Sequence, residues 1–223
     1  MTRNTLFGDI VDNDKWLYHY TSKETALEHI LSSGKIRLNL FRNLNDPRES
    51  KDWNFSVKSP KDTELTNKIF FDIQRDATNY VKNRCKVLCM VKDDARINPN
   101  SIDYMFHRGF SKPRMWAQYG KDHTGVCLII DREKLIRDIQ LELGSRGETY
   151  IGHVKYANFH EEQVHAFDLD YGEVLNSSLP VVLDSKIQKH HKHYFFTKAE
   201  DWANKMNGDV FYGAKARMWS IYL

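Results

Sequence analysis

The chain has 223 residues, of which 41% are hydrophobic and 28% charged, and its formal net charge is +3. This is enough apolar material for a sizeable core, so we expect a single domain over residues 1–223. The mild basic excess falls well short of the Lys/Arg density of a dedicated nucleic-acid binder, and no apolar run is long enough to span a bilayer. Residues 1–12 lack signal-peptide features. We therefore expect a cytoplasmic protein in which Cys85, Cys89 and Cys127 are free thiols.

The first half of the chain predicts an aromatic strand that runs directly into a helix. Residues 15–20 are typical of a strand. Thr21 and Glu24 fit a capping box at the start of the helix, and Gly34 marks its exit. The other elements predicted before residue 102 are a strand at 36–40, a turn at 43–47, a helix at 63–83, a buried strand at 86–91 and a loop at 93–101.

The second half continues with a mixture of both element types. The predicted elements are a helix at 111–119, a buried strand at 125–131, a helix at 133–143 that ends at Gly144, a strand at 150–156 and a helix at 180–194. Strands and helices do not alternate as in a regular β-α-β protein. The pattern therefore indicates an α+β fold, with a central mixed sheet and flanking helices.

His19 is the first candidate site residue. A single histidine on a strand is more often structural than functional. Here, however, the strand ends in a helix N-terminus, whose backbone donors favour anionic groups such as phosphates. From this pattern Thr21 is most simply a cap. The segment Tyr18-His19-Tyr20-Thr21 is thus a sensible place to hold a nucleotide.

Three further segments carry polar side chains in suggestive patterns. Asn45-Asp46-Pro47-Arg48-Glu49 reads as a solvated turn, with a ligand-facing loop as the minority interpretation. Trp116 and Tyr119 share a helix face, so Trp116 packs on the sheet while the tips of Tyr119 and His123 reach towards a cleft. His190, His191 and His193 lack accompanying cysteines, so a solvated helix end is favoured over a metal site, and we expect no metal.

Several familiar enzyme motifs are absent from the sequence. It contains no Walker-type phosphate loop, no G-x-G-x-x-G, no G-x-S-x-G and no H-E-x-x-H. These absences count against P-loop NTPases, Rossmann dehydrogenases, α/β hydrolases and zinc peptidases.

Four separated motifs carry a resemblance to a known family. They are Leu17-Tyr18-His19-Tyr20-Thr21, Ile30-Leu31-x-x-Gly34-x-Ile36-x-Leu38, Asn45-Asp46-Pro47-x-Glu49 and Met115-Trp116-x-x-Tyr119-Gly120-x-x-His123-x-Gly125-Val126-Cys127. Together they resemble a widespread bacterial family catalogued as a domain of unknown function, strongly over 17–131 and weakly over 198–202. That family in turn resembles ADP-ribosyltransferases, in particular DarT-type DNA-modifying toxins and RNA 2′-phosphotransferases.

The resemblance implies an ADP-ribosyltransferase-like fold that uses NAD as a substrate. By analogy His19 contacts the NAD ribose and Tyr119 is the aromatic wall over the nicotinamide. The remaining residues implied at the nucleotide are Tyr20, Thr21, Asn45, Asp46, Glu49 and His123. In such folds a glutamate on a late strand stabilises the positive charge that develops as the glycosidic bond breaks. If the assignment holds, His19, Asn45 and Tyr119 should converge on one cleft.

The function implied is NAD binding with transfer of ADP-ribose to a nucleic-acid or protein acceptor. Such a protein would serve as a toxin or phage-defence effector with an antitoxin or immunity partner, and without membrane association. The alternative is a non-catalytic nucleotide- or nucleic-acid-binding module on the same fold. A weaker alternative is phosphate-ester hydrolysis by His19 with Asp46 and Glu49.

The C-terminus departs from the family pattern, which ends with Lys, Trp and then Glu-x-Glu-x-Arg. This chain has Lys198 and Trp202, but continues with Lys205-Met206-Asn207-Gly208-Asp209. Lys and Asn codons both begin with AA. If one G is inserted before the Lys205 codon, the first new codon is this G followed by AA, which encodes Glu. The third new codon is the final G of the Met206 codon followed by the AA of Asn207, which again encodes Glu. We therefore hypothesise that 205–223 is a frameshifted tail, with a divergent natural C-terminus as the alternative. The hypothesis predicts reduced activity and a poorly ordered C-terminus.

Overall fold

The computed structural model describes residues 15–44, 53, 55–60, 65–94, 102–157, 167–199 and 218–222. Its mixture of strands and helices confirms the predicted α+β class. Within these ranges the strands are β1 (Trp16–Thr21), β2 (Asn39–Leu40), β3 (Ser56–Lys58), β4 (Lys86–Val91), β5 (Val126–Asp131), β6 (Tyr150–His153), β7 (Lys155–Ala157), β8 (Asp168–Asp170), β9 (Thr197–Ala199) and β10 (Met218–Tyr222).

The helices include short irregular segments beside the regular ones. The α-helices are α1 (Asn67–Arg84), α2 (Pro113–Tyr119), α3 (Arg132–Leu143), α4 (Tyr171–Asn176) and α5 (Leu179–Phe195). A π-helical segment covers Thr25–Leu31, and 3₁₀ turns cover Phe41–Asn43, Ile102–His107 and Gly109–Ser111. No helix within the described ranges is both long and apolar enough to cross a membrane.

The chain divides into two compact units. The first comprises residues 1–37, 88–153 and 211–221, and the second comprises residues 38–87, 154–210 and 222–223. The sequence predicts one domain over the whole chain, and that stays a prediction.

The first unit is built on a sheet with the strand order β5-β1-β4-β10-β6. β1 pairs antiparallel with β5 along its full length, from Trp16 opposite Asp131 to Thr21 opposite Val126. On its other side β1 pairs antiparallel with β4, with Tyr18 opposite Val91. β1 is therefore flanked by a strand on each side, and its alternation sets the face on which each side chain from Trp16 to Thr21 lies.

The described part of the second unit contains short strand pairs and the helices α1, α4 and α5. β2 pairs antiparallel with the first residues of β4, whereas β3–β8 and β7–β9 are parallel pairs. Helix α1 begins at its cap Thr66, whose side chain accepts a hydrogen bond from the Ile69 backbone. The core of this unit is rich in aromatic and branched side chains, among them Phe41, Phe55, Val81, Leu169, Leu183, Tyr194 and Phe195.

The start of the first helix differs from the prediction. Thr21 is the last residue of β1, and Ser22 is the cap, because its Oγ accepts a hydrogen bond from the Thr25 backbone at 3.1 Å. The chain then takes a π-helical course, which changes the spacing of its faces. Leu27 and Leu31 are 55% and 61% exposed, whereas Ala26 is buried.

Other predicted elements are shifted or divided. The strand predicted at 36–40 is reduced to β2, and the strand predicted at 150–156 is divided into β6 and β7. β5 is less buried than predicted, and among the described strands it lies at the edge of the sheet, next to β1. The loop over 95–101 and most of the turn at 43–47 lie outside the described residues. Met218–Tyr222 forms β10, although the frameshift hypothesis predicts a poorly ordered C-terminus.

Candidate functional site

The candidate site is built around the two faces of β1. Successive side chains of a strand point to opposite faces. Tyr18 and Tyr20 therefore share one face, which we call the tyrosine face, and His19 and Thr21 share the other, which we call the histidine face. Each face has different neighbours and a different chemical character.

The tyrosine face is covered by aromatic side chains of α2 and the segment before it. The Trp116 ring meets the Tyr20 ring edge-on, with ring centroids 5.0 Å apart. Phe110 lies 5.9 Å from Tyr18 by the same measure. Met115 and Tyr119 also pack against this cluster. The packing of Trp116 on the sheet, predicted from the sequence, is therefore confirmed.

A buried polar network lies at the hydroxyl of Tyr18. This hydroxyl donates to Asp93 Oδ2 at 3.1 Å and accepts from Arg108 Nη2 at 2.8 Å. Arg108 Nη1 also pairs with Asp93 Oδ2 at 3.2 Å, and both side chains are at most 1% exposed. The Gly109 backbone donates to the other carboxylate oxygen at 2.7 Å. Each charge is thus matched by a partner, as burial of an ion pair requires.

The hydroxyl of Tyr20 is held in a similar way. It donates to the Gly109 carbonyl at 2.6 Å, and the Lys112 backbone approaches it at 3.4 Å. Burial raises the pKa of both Tyr18 and Tyr20, so both phenols stay protonated at neutral pH. The two tyrosines therefore fix the segment 108–112 on the sheet. They are not exposed to a ligand through their hydroxyl groups.

His19 lies in a different environment on the histidine face. It is partly buried, and burial lowers the pKa of its imidazole from the ordinary value of 6.5. A hydrogen bond with the Cys89 backbone opposes this shift. A neutral imidazole has one nitrogen that donates and one that accepts. His19 therefore has hydrogen-bonding capacity suited to a hydroxyl group.

The end of β1 meets the chain that leads into β5. Thr21 pairs with Val126, and a Cβ atom on Gly125 would lie 2.3 Å from the Thr21 carbonyl oxygen. Only glycine permits this approach, which accounts for one glycine of the Tyr119–Cys127 motif. Close by, Lys121 Nζ forms an ion pair with Glu24 at 3.3 Å. The β1–helix junction and the 121–125 turn thus lie side by side.

The turn after α2 has an unusual backbone. Lys121, Asp122 and His123 have φ angles of 47, 49 and 67°, the left-handed region. For a residue with a side chain this conformation costs roughly 1–2 kcal/mol. Hydrogen bonds hold it in place, including His123 N to Trp116 O at 3.2 Å and Gly125 N to Gly120 O at 2.7 Å. Backbone strain of this kind concentrates at functional sites.

The structure brings some predicted site residues together and separates others. His123 lies in the left-handed turn, two residues before Gly125, which approaches the Thr21 carbonyl oxygen at the end of β1. Tyr119 packs against the tyrosine face, whereas His19 lies on the histidine face. These two side chains therefore do not converge on one face of β1. Asn45, Asp46 and Glu49 lie outside the described residues, so their part in the predicted cleft stays a prediction.

Sequence reasoning missed the residues of the buried network. Asp93 lies two residues after the strand predicted at 86–91, and a carboxylate near a strand end is a signal that could have been noted. Arg108 and Lys112 are 1% and 6% exposed, yet nothing in their local sequence distinguishes them from surface residues. Their burial depends on Tyr18 and Tyr20, far away in the chain.

The histidines near the end of α5 are not gathered into a metal site among the described residues. Within the described ranges, no group of three or more His, Cys, Asp or Glu side chains is placed to hold a metal ion. The side chain of His193 is outside that description, and His191 Nδ1 lies 3.2 Å from the Gln188 carbonyl oxygen of its own helix.

A comparison with protein families matches the later part of the chain. Residues 115–206 match the model of a family described as "Protein of unknown function (DUF2971)". The matched stretch contains the motif from Met115 to Cys127 and the Lys198–Trp202 segment, but not the motifs before residue 50. No curated protein and no solved structure matches the chain. Over residues 115–206 the chain is thus similar to a family of unknown function.

Proposed function

We propose that the chain is an ADP-ribosyltransferase-like domain that binds NAD and transfers ADP-ribose to a nucleic-acid or protein acceptor. The observation that carries the proposal is the setting of His19. Its imidazole is partly buried, its pKa is lowered, and it lies two residues before the end of β1. A neutral imidazole there suits a ribose hydroxyl, in keeping with the role that the resemblance implies.

The surroundings of this strand end supply features that suit the rest of a dinucleotide. A helical segment begins just after Ser22, and the N-terminus of a helix attracts phosphate oxygens. The left-handed turn at Lys121–His123 lies beside it and carries a lysine and a histidine. Tyr119, by contrast, packs on the tyrosine face. It could therefore cover the nicotinamide only if the ligand reached past the edge of β1, from the histidine face to the tyrosine face.

Binding is tested by titrating the purified chain with NAD in a calorimeter. We expect saturable binding that is lost in His19→Ala. The matched control is His29→Ala, which removes an exposed histidine from the neighbouring helical segment and should leave binding unchanged. Equal loss in both variants, or no binding by the parent chain, would contradict the proposed NAD site.

Turnover is tested separately, with a chain in which Glu-Asn-Glu-Trp-Arg replaces the residues after Asn204. We expect nicotinamide release from this repaired chain and little from the present one, since a carboxylate aimed at the developing ribosyl cation accelerates bond breaking. A homologue with an intact C-terminus that neither binds nor consumes NAD would overturn the proposal.

A non-catalytic nucleotide-binding module is the second candidate, and the C-terminal sequence favours it. β10 reads Met-Trp-Ser-Ile-Tyr and carries no carboxylate. The whole stretch from 205 to 223 contains no glutamate. Retained NAD binding with no nicotinamide release, in a homologue that has the Glu-x-Glu motif, would select this candidate over the enzyme.

A further inference from the structure

A groove lies between α4 and α5 in the second unit. Its volume is about 410 Å³, which is within the size range of small-molecule sites. Its lining includes Ser177 at the end of α4. From α5 it includes Val181, Ser185, Lys186, Lys189 and His190. None of them belongs to the site proposed for NAD.

The charge of the groove is positive. Lys186 and Lys189 are three residues apart on α5, which places their side chains on one face of the helix. Glu173 is the one acidic side chain along the groove within the described ranges. Neither lysine forms an ion pair with another described residue, so both ammonium groups are available for a ligand.

The walls of the groove are held by local backbone geometry. Helix α4 ends at Ser177, whose hydroxyl donates to the Glu173 carbonyl at 2.7 Å. Ser178 then takes a φ of 148°, and α5 begins at the next residue. At the other end α5 is kinked at His190, where φ is −123° and ψ is 24°. A connection this short leaves the two helices little freedom to close the groove.

One wall is apolar and exposed. Val181 is 57% exposed although it lies on α5 beside a buried valine, Val182. An apolar patch next to two ammonium groups suits a molecule with one charged and one uncharged part. Lysine binds phosphate as a point charge, and a sugar or base can cover the valine.

We propose that the α4–α5 groove binds the phosphate of a nucleotide unit, through Lys186 and Lys189, with Val181 against the sugar or base. The unit belongs either to a free nucleotide or to a nucleic-acid chain, and both present the same phosphate chemistry. The proposal does not rest on NAD binding at His19.

The test measures binding of two probes, ADP and a fluorescein-labelled single-stranded oligonucleotide. We expect Lys186→Gln/Lys189→Gln to weaken binding of at least one of them about tenfold or more. For the oligonucleotide, the slope of log K against log salt should fall by about 1 for each lysine removed. The matched control is Lys35→Gln/Lys68→Gln, which removes the same charge from exposed positions elsewhere and should bind like the parent.

The outcomes separate this groove from the NAD site. ADP that binds at the NAD site is lost in His19→Ala and kept in the lysine variant, whereas ADP in the groove shows the reverse. If the lysine variant loses only oligonucleotide binding, the groove is assigned to nucleic acid, and if it loses ADP binding, the groove is assigned to free nucleotides. If neither probe binds, or if the lysine variant binds both as tightly as the parent, the proposal is overturned.

Discussion

The Cα atom of Gly109 lies directly against the ring of Tyr18. A Cβ atom built at residue 109 would approach Cδ2 of that ring to 2.1 Å, which no stable contact allows. We therefore expect Gly109→Ala to displace the ring and the hydroxyl that joins Asp93 to Arg108. Overpacking of this kind costs about 1–3 kcal/mol. The loss is measured as the change in the free energy of unfolding in urea.

Gly147→Ala is the control for this substitution. A Cβ atom at Gly147 meets no atom within 4 Å, so the same chemical change should leave the free energy of unfolding almost unchanged. Equal stability of the Gly109→Ala and Gly147→Ala chains would show that the segment 108–112 does not lie on Tyr18 in solution.

The ion pair of Asp93 and Arg108 gives a second prediction. Both side chains are at most 1% exposed, so removal of either one leaves a charge in the interior without its partner. We expect Asp93→Ala and Arg108→Met each to cost about 3–5 kcal/mol. Because the double variant leaves no buried charge, it should cost clearly less than the sum of the two.

Urea denaturation of the four chains of this cycle gives the coupling energy. Arg75→Met is the matched control for the loss of an arginine, because Arg75 pairs with Asp72 and Asp76 at the surface. Surface pairs contribute about 0–1 kcal/mol, so this variant should remain near the parent. Additive effects of Asp93→Ala and Arg108→Met would contradict a direct interaction.

Regular elements with strong local signals were predictable from the sequence. The strand at 86–91 is β4, residue for residue, because an unbroken apolar run fits a strand flanked on both sides. The helix after Asp131 is also found within one residue, since the Asp131 side chain caps it by accepting from Lys134 N. In both cases the sequence signal is local, an apolar run for the strand and a capping aspartate for the helix.

Other features depend on contacts between distant residues and could not be predicted. The role of Asp93 depends on Tyr18, 75 residues earlier in the chain. Local sequence gives no sign that Arg108 is buried, since arginines are mostly exposed. The two faces of β1 follow from its alternation, but the face on which Tyr119 packs depends on how α2 docks. The sequence alone therefore could not place Tyr119 and His19 on different faces of β1, and their shared cleft stays a prediction.

The left-handed turn at Lys121–His123 gives a third prediction. Asp122 has a φ of 49°, which glycine adopts without strain and a β-branched residue adopts least readily. We expect Asp122→Gly to raise the free energy of unfolding by up to about 1 kcal/mol and Asp122→Val to lower it. Urea denaturation of the three chains should give the order Gly, Asp, Val.

The series contains its own control, because all three chains differ at one exposed position. Removal of the carboxylate is common to both variants, so opposite changes in stability can only come from the backbone. If both variants change stability in the same direction, the side chain of Asp122 matters more than its conformation, and the turn is not strained as described.

The coding DNA gives a fourth prediction, which concerns residues 205–223. We expect the neighbouring reading frame after the Asn204 codon to encode Glu, one further residue and Glu again. The family match ends at residue 206, close to this point. Sequencing the gene and its close relatives decides the matter. Relatives that keep Lys-Met-Asn-Gly-Asp in frame would establish a divergent natural C-terminus instead.

The partly buried imidazole of His19 gives the last prediction, a pH dependence of stability. Burial lowers its pKa in the folded chain, whereas in the unfolded chain the group titrates near its ordinary value of 6.5. The unfolded state therefore binds more protons below that value, so the stability contributed by His19 is complete above pH 6.5 and is lost as the pH falls towards the folded pKa. We expect the free energy of unfolding to fall between pH 7.5 and 5.5, and His19→Gln to reduce that fall. His29→Gln, at an exposed position, should keep it. An equal fall in the parent and in His19→Gln would mean that the imidazole is solvated, and a solvated imidazole would remove the main support for a neutral ribose contact at this position.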